Sequence, residues 1–425
     1  MRKRKTNIFA GIDWILVLFY VVLVFFGWLN IYAATVSESH HEILDFTALY
    51  GKQLQWIALS FVFIIIIISI DSKFYERLSG VFYVISILSL VGLFVLGSNI
   101  NGATSWYNFG GFSIQPSEFA KAATVLALAN FINEPNRDLS NFKSQMSAFL
   151  IILLPAILIG LQPDPGSSLI YLFLLAVLYR EGLPAYYLVI AFMAIVLFII
   201  TLYIGFTASL LIIFGILTLF FAYIINFKKF PFKREWYKII TVYLFMGLFI
   251  FSVDYVFNNI FEQRHRDRFS ILLGKTTDTK GIGYNTDQSM ITIGSGGFTG
   301  KGFLEGDRTQ GNFVPEQDTD YIFSTVGEEW GFIGSSAVII VFVAFLLRII
   351  QISERQKSTF SRVFGYSVAA IFFFHFMINI GMVIGLLPTI GIPLPFFSRG
   401  GSSLWGFTIL LFIFIRLDAD RTYEW

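Results

Sequence analysis

The sequence predicts an all-α polytopic membrane protein of about twelve transmembrane helices with one long outer loop. Three observations predict it. Hydrophobic residues make up 56% of the 425 positions and charged residues only 14%, against about 25% charge in an average soluble domain. The mean hydropathy is +0.71. The apolar residues also gather in runs close to the roughly twenty residues that cross a bilayer as a helix. Together these argue against a soluble enzyme, a disordered chain and a nucleic-acid binder. The net charge of +2 says little, because a membrane separates the charges. With no cysteine in the chain, disulfides, thiol catalysis and cysteine metal sites are excluded. The four histidines (His40, His41, His265 and His375) are scattered, and none forms a ligand pair at helical spacing.

The chain opens on Arg2, Lys3, Arg4 and Lys5, then an apolar run over about 12–33. That run is too long for a signal-peptide core and reads as a retained first helix. Further runs lie at about 53–71, 78–97, 117–133, 146–162, 167–180, 184–204, 207–226, 239–257, 331–350, 362–387 and 402–416. Two are weak: 167–180 is short, and 117–133 contains Glu118 and Lys121. Charge placement supports the count. With a cytoplasmic N-terminus, 20 of the 30 Lys/Arg fall on the cytoplasmic side, including Lys228, Lys229, Lys233, Arg234 and Lys238 in one short segment. Nine fall outside, seven of them in the long loop, and Lys121 lies within a span. This is the positive-inside pattern with both termini in the cytoplasm.

Four polar stretches interrupt the apolar runs, and all fall on the outer side. The longest runs over 258–320. Loops of that length are uncommon and more often functional. It carries Arg264, Arg266 and Arg268, a glycine-rich stretch over 294–302 that includes Lys301, and the acidic end Asp318-Thr319-Asp320. The glycine stretch fails as a phosphate-binding P-loop, because Ser295 and Gly302 replace required residues. A tight turn bringing backbone close to a ligand or another loop fits it better. The second stretch, Asn101 to Trp106, leads to Gln115-Pro116-Ser117-Glu118-Phe119-Ala120-Lys121. Glu118 and Lys121 share a helix face. They read either as a functional intramembrane pair or as a lock on the helix. The third, Gln162-Pro163-Asp164-Pro165-Gly166, reads as a sharp turn with a helix cap. The fourth runs from Leu387 through Pro388, Pro393 and Pro395 to Arg399 and Ser402, an irregular entry into the membrane. Such backbone is tolerated there only when buried in protein or lining a wet cavity. A polar site open to the outer face is the economical inference.

These segments, in this order, resemble the SEDS family, the polytopic proteins that include RodA and FtsW. The matching pieces are NGATSW with QPSEFAK, QPDPG, GYNTDQSMITIGSGGFTGKG, FVPEQDTDYIF with GEEWGFIG, and NIGMVIGLLPTIGIPLPFFSRGGSS. The IGSGG and FVPEQ forms lean towards the RodA branch. The resemblance implies a peptidoglycan glycosyltransferase that polymerises lipid II, a disaccharide-peptide on undecaprenyl diphosphate, at the outer face of the bacterial cytoplasmic membrane during cell elongation. It implies a class B penicillin-binding protein as transpeptidase partner, and Asp320 as the catalytic acidic residue. The sequence departs from the family pattern in places. Asp318 stands where the family has His, Arg399 where it has Tyr, and Pro165 where it has Leu. The family count of ten spans leaves a surplus, which fits one extra hairpin around 184–226.

Glycosyl transfer from a sugar diphosphate needs a base for the acceptor hydroxyl, charge stabilisation for the leaving group, and in-line placement of both lipid-linked substrates. Asp320 suits the first as a general base, in a single displacement with inversion. Fixed cations suit the second; the candidates are Lys121, with Glu118 beside it, Arg264, Arg266, Arg268, Lys301 and Arg399. A divalent ion is a further option, although no multi-carboxylate ligand set is evident and no metal ligand is assigned. Asp318 adds a second carboxylate two residues from the base. Trp106 either stacks on a sugar or anchors at the interface. The competing readings are a lipid II flippase or lipid-carrier transporter, which would use Glu118, Lys121 and the broken helix, and a scaffold for wall synthesis.

Overall fold

The computed structural model describes residues 11–36, 44–100, 102–135, 137–227, 232–261, 263–275 and 283–421. His40, His41, Asn101, Lys228 and Lys229 lie outside them, as do the side chains of Lys233, Arg234, Arg264 and His265. Among the described residues, ten helices are long and apolar enough to cross a membrane. They are α1 (Trp14–Thr35), α2 (Leu49–Ser69), α3 (Ser72–Leu96), α5 (Phe142–Gly160), α8 (Tyr186–Ile204), α9 (Phe206–Phe227), α10 (Phe232–Tyr255), α14 (Ile322–Glu354), α15 (Thr359–Val383) and α16 (Gly401–Asp420). The two weak runs of the sequence are also helical but fall outside that set. One is α4 (Pro116–Asn133). The other is broken into α6 (Pro165–Leu169), a 3₁₀ turn over Ile170–Phe173, and α7 (Leu174–Arg180). The result is an all-α polytopic fold.

The chain separates into two compact units, 1–184 with 284–425, and 185–283. The second unit holds α8, α9, α10 and α11 (Gln263–Leu272). Gly205, at φ 86°, turns α8 directly into α9. Leu197 and Ile213, each eight residues from that turn, share one apolar cluster with Ile250, so the two helices fold back as a hairpin. This hairpin lies inside a unit that extends beyond it to Gly283.

The first unit is built around α4, α15 and α16. Of the most apolar eighteen-residue window, 89% is buried in α16 and 72% in α15, against 22% in α2 and α3, whose apolar faces are left for lipid. Thirteen of the eighteen residues of α4 are buried. Lipid gives helices no hydrophobic reason to associate, so close packing and polar bonds between helices must do it. Both occur here. A methyl group at Gly27 would stand 2.6 Å from the Phe397 backbone, and one at Gly406 2.9 Å from the Glu118 carbonyl. Tyr20 and Thr408 share a hydrogen bond at 3.2 Å, and the Trp405 indole donates to the Trp56 carbonyl at 3.1 Å. At one end of the bundle Asp13 caps α1 and receives Arg348 at 2.6 Å and Arg355 at 3.2 Å. Burial pushes the Asp13 carboxyl up, but hydrogen bonds from Arg348 and the Leu16 amide outweigh it and hold the group below its ordinary range.

Two features were not in the sequence reading. A small antiparallel sheet joins α3 to α4: β1 (Ser98–Ile100), β2 (Ala103–Asn108) and β3 (Ser113–Ile114), with Ser98 opposite Trp106 and Tyr107 opposite Ile114. The second is a break in α14 at Gly331, where φ is 63° and ψ −159°. The break leaves ladder groups without their usual partners, and the glycine-rich stretch supplies them. Lys301 N and Gly302 N donate to the Glu328 and Glu329 carbonyls, both at 3.0 Å. Phe332 N and Ile333 N donate to the Gly297 and Phe298 carbonyls at 2.9 and 3.2 Å. The glycines thus bring backbone against backbone, with a broken helix as partner where the sequence suggested a ligand or another loop.

The geometry at Gly300 (φ 83°) makes this testable, because a Cβ there would sit 2.1 Å from the Glu329 carbonyl oxygen. Gly110 also has positive φ (80°) but has nothing within 4 Å. Gly110→Ala is expected to lose only the backbone cost, about 1–3 kcal/mol. Gly300→Ala should lose distinctly more in thermal unfolding in detergent. Equal losses would show that the patch over α14 is not close-packed.

Candidate active site

The end of the long stretch and the other three polar stretches meet in one network within the first unit. Pro116 begins α4 at its first position, where a missing amide proton costs nothing. Asp164 caps α6 through Ser167 N at 3.1 Å, with Pro165 at the first helical position, so the turn-and-cap reading holds. The other Asp164 oxygen accepts from Gln115 Nε2 at 3.0 Å, which joins the second stretch to the third. Gly166 then packs on Ile390 and Ile392, where a Cβ would stand 3.0 and 3.1 Å from their side chains.

The fourth stretch, between α15 and α16, lacks regular structure from about Pro388 to Ser398. Its carbonyls and amides find side chains instead of a ladder. His375 Nδ1 lies 3.1 Å from the Pro393 carbonyl, and Asn379 Nδ2 donates to the Ile392 carbonyl at 2.7 Å. Leu394 N donates to Ser398 Oγ at 2.9 Å, and Gly400 N to Gln53 Oε1 at 3.1 Å. Pro388, Pro393 and Pro395 carry no amide proton, so fewer donors need a partner.

Against this segment lies the end of the long loop. Asn379 Nδ2 also donates to the Asp320 carbonyl, at 2.8 Å, so a single amide group fastens both segments. On one side of Asp320, Tyr321 is buried with its hydroxyl 2.9 Å from Thr389 Oγ1, and Thr286 on α12 (Tyr284–Ser295) is 3.2 Å from each. On the other side, Asp318 pairs with Arg399 through its carboxylate and accepts from Arg399 N through its carbonyl at 2.9 Å. One residue further back, Gln317 Nε2 reaches the Ala34 and Thr309 carbonyls and Asn312 Oδ1. Asp320 itself is half-buried.

The candidate cations fall into three situations. Lys121 is buried, with Nζ 2.7 Å from Glu118 Oε2, 3.1 Å from His375 Nε2 and 4.5 Å from the centre of the Phe407 ring. A carbonyl only accepts, so His375 donates from Nδ1 to Pro393 and accepts from Lys121 at Nε2. The Glu118–Lys121 pair is thus a contact within α4 that extends through His375 to the irregular segment. Lys301 is held between Glu328 (2.8 Å) and Asp307 (3.1 Å). Hydrogen bonding to Glu328 raises its ammonium above the ordinary lysine value. Arg399 is paired with Asp318. In the second unit, Arg266 on α11 donates to the Asn258 carbonyl at 2.9 Å, and Arg268 lies on the same helix. Trp106 is half-buried in the middle strand of the sheet.

Sequence reasoning missed His375, Asn379, Gln317 and Glu328. Glu328 is buried and accepts from Thr309 N at 2.7 Å, Thr309 Oγ1 at 2.8 Å and Arg308 N at 3.1 Å, besides Lys301. Two adjacent acids in an apolar helix, Glu328 and Glu329, were the available signal. His375 and Asn379 are four apart on one face of α15, a weaker signal.

Comparison with known proteins follows from this geometry. A family model described as cell cycle protein, FtsW/RodA/SpoVE, matches residues 13–210 and 206–423. A peptidoglycan glycosyltransferase RodA of Treponema pallidum (strain Nichols) is 31% identical, over 99% of this chain and all of its own length. The peptidoglycan glycosyltransferase MrdB of Escherichia coli (strain K12) is 32% identical, over 88% of this chain and 86% of its own. A solved structure from work on the coordination of polymerization and crosslinking by a peptidoglycan synthase complex superposes with a TM-score of 0.71. It covers 97% of this chain and 99% of its own at 23% identity, a likeness of fold.

Removing one member of a buried ion pair strands the other and typically costs about 3–5 kcal/mol. Lys121→Met and Glu118→Leu are each expected to lose stability in that range, and the double variant to recover most of it in thermal unfolding. If Lys121→Met is stable but inactive while Glu118→Gln is fully active, Lys121 acts on substrate instead.

Proposed function

The chain belongs to the FtsW/RodA/SpoVE family, and from that premise we propose that Asp320 is the general base of a lipid II polymerase. The protein is a peptidoglycan glycosyltransferase, and its likeness to RodA and MrdB supports a role in elongation. Asp320 takes the proton of the acceptor sugar hydroxyl as that oxygen bonds to the anomeric carbon of the donor. The bond from that carbon to the diphosphate breaks with inversion, and undecaprenyl diphosphate leaves with the electron pair. A well-placed base is worth about 10²–10⁴ in rate.

The observation that carries this reading is the fixing of the Asp320 backbone. Asn379 holds its carbonyl, Arg399 holds Asp318, and Thr389 holds Tyr321, while Asp320 stays half-buried instead of sealed in. A base held on rigid neighbours loses little rate to misplacement. The leaving diphosphate needs fixed positive charge. Among the sequence candidates, Lys121, Lys301 and Arg399 are each held by carboxylates. The Lys/Arg distribution supports an extracytoplasmic site and cytoplasmic termini. A class B penicillin-binding protein supplies the transpeptidase, and α8 with α9 form the hairpin added to a ten-helix core.

Asp320→Asn keeps the side chain's shape and removes the base. With purified protein and labelled lipid II, gel-resolved glycan chains should fall at least ~100-fold, at unchanged unfolding temperature. Full polymerisation by Asp320→Asn would overturn the assignment. Movement of lipid II across the bilayer without chain growth would favour a carrier.

A further inference from the structure

Asp318 and Arg399 are 81 positions apart, yet they make two contacts. The Arg399 guanidinium meets the Asp318 carboxylate through Nε, and the Arg399 amide donates to the Asp318 carbonyl at 2.9 Å. Both side chains are largely enclosed, with 12% of Asp318 and 23% of Arg399 exposed. Arg399 is itself held from both directions. The preceding Ser398 accepts from Leu394 N at 2.9 Å and the following Gly400 donates to Gln53 at 3.1 Å. The grip on Asp318 is therefore anchored to α2 and to the irregular segment, not merely laid across a loop.

Two residues along, the Asp320 carbonyl is held by Asn379 at 2.8 Å. Grips at Asp318 and Asp320 leave the short segment between them little freedom to rotate, which fixes the direction in which the Asp320 side chain leaves the backbone. The Arg399 guanidinium also compensates the Asp318 charge, two residues from Asp320.

We propose that Arg399 and Asp318 form one positioning clamp for Asp320, with Arg399 acting through Asp318 and not on the diphosphate. The proposal rests on the reading of Asp320 as the base. A displacement of about 1 Å in a reacting group can cost on the order of 100-fold, so the clamp should be visible in the rate.

The test is a cycle on the purified full-length protein in detergent, with steady-state lipid II polymerisation and thermal unfolding as readouts. Asp318→Asn and Arg399→Gln should each lower kcat about 10–100-fold, with KM within about twofold, assayed well below the unfolding temperature of each variant. The double variant should be no worse than the weaker single variant. The charge-swapped pair, Asp318→Arg with Arg399→Asp, should exceed either single. Arg399→Lys keeps a cation and the main-chain bond, and should retain more activity than Arg399→Gln. Multiplicative losses in the double variant would overturn the clamp, as would a silent Asp318→Asn beside an Arg399→Gln that raises KM, the signature of direct diphosphate contact. Should Asp320→Asn prove active, the base assignment fails, whereas the coupling between Asp318 and Arg399 remains readable from the same cycle.

Discussion

Irregular backbone within a membrane protein has no water to fall back on, so its amides and carbonyls must be bonded inside the protein. That constraint shapes the part of this molecule that matters for chemistry. The segment from Pro388 to Ser398 has no ladder, and its groups are taken up by His375, Asn379, Ser398 and Gln53. Asn379 then spends its second amide hydrogen on Asp320. The candidate base is thus fixed by the same bonds that make the broken backbone tolerable. A similar solution repairs α14 at Gly331, where the glycine-rich stretch supplies the missing ladder partners.

The buried charges follow a second rule, that an ion deep in protein keeps a partner. Lys121 has Glu118 and His375, Glu328 has Lys301 and three donors around Thr309, and Asp318 has Arg399. The Asp318–Arg399 pair is informative in another way. These are two of the positions at which the sequence departs from its family pattern, one in each of two motifs, and they turn out to be the two ends of a single contact. Departures that looked separate along the chain form one opposite-charge pair in space.

Much of this was legible beforehand. The apolar runs marked every long helix, because burial in lipid demands about twenty apolar residues whatever the tertiary contacts. They also marked the two weak ones, α4 and the broken segment before Arg180, as different. Asp164 lies in the stretch that announced a turn and a helix cap, and it is the cap found there. The glycines at 294–302 pointed to close backbone approach. What stayed illegible depended on partners distant in the chain. Nothing near Asn379 says that it reaches Asp320, and nothing near Arg399 says that it reaches Asp318. Lys301 and Arg399 read as available cations, because a sequence shows charge but not the distant carboxylate that answers it; only for Lys121 was the partner, Glu118, near enough in the chain to be seen. The short sheet over 98–114 was missed for a related reason. Its strands of two to six residues carry too little pattern to stand out beside an apolar helix.

The central claim is that a carboxylate held in the seam between two irregular segments faces the outer side, where it meets lipid-borne sugars. A chain without cysteine offers a clean probe. Thr319→Cys, adjacent to the base, can be challenged with a membrane-impermeant thiol reagent on sealed, right-side-out membranes. The account predicts modification from the outside, slowed when lipid II is supplied. Modification only after the cytoplasmic face is opened would contradict it.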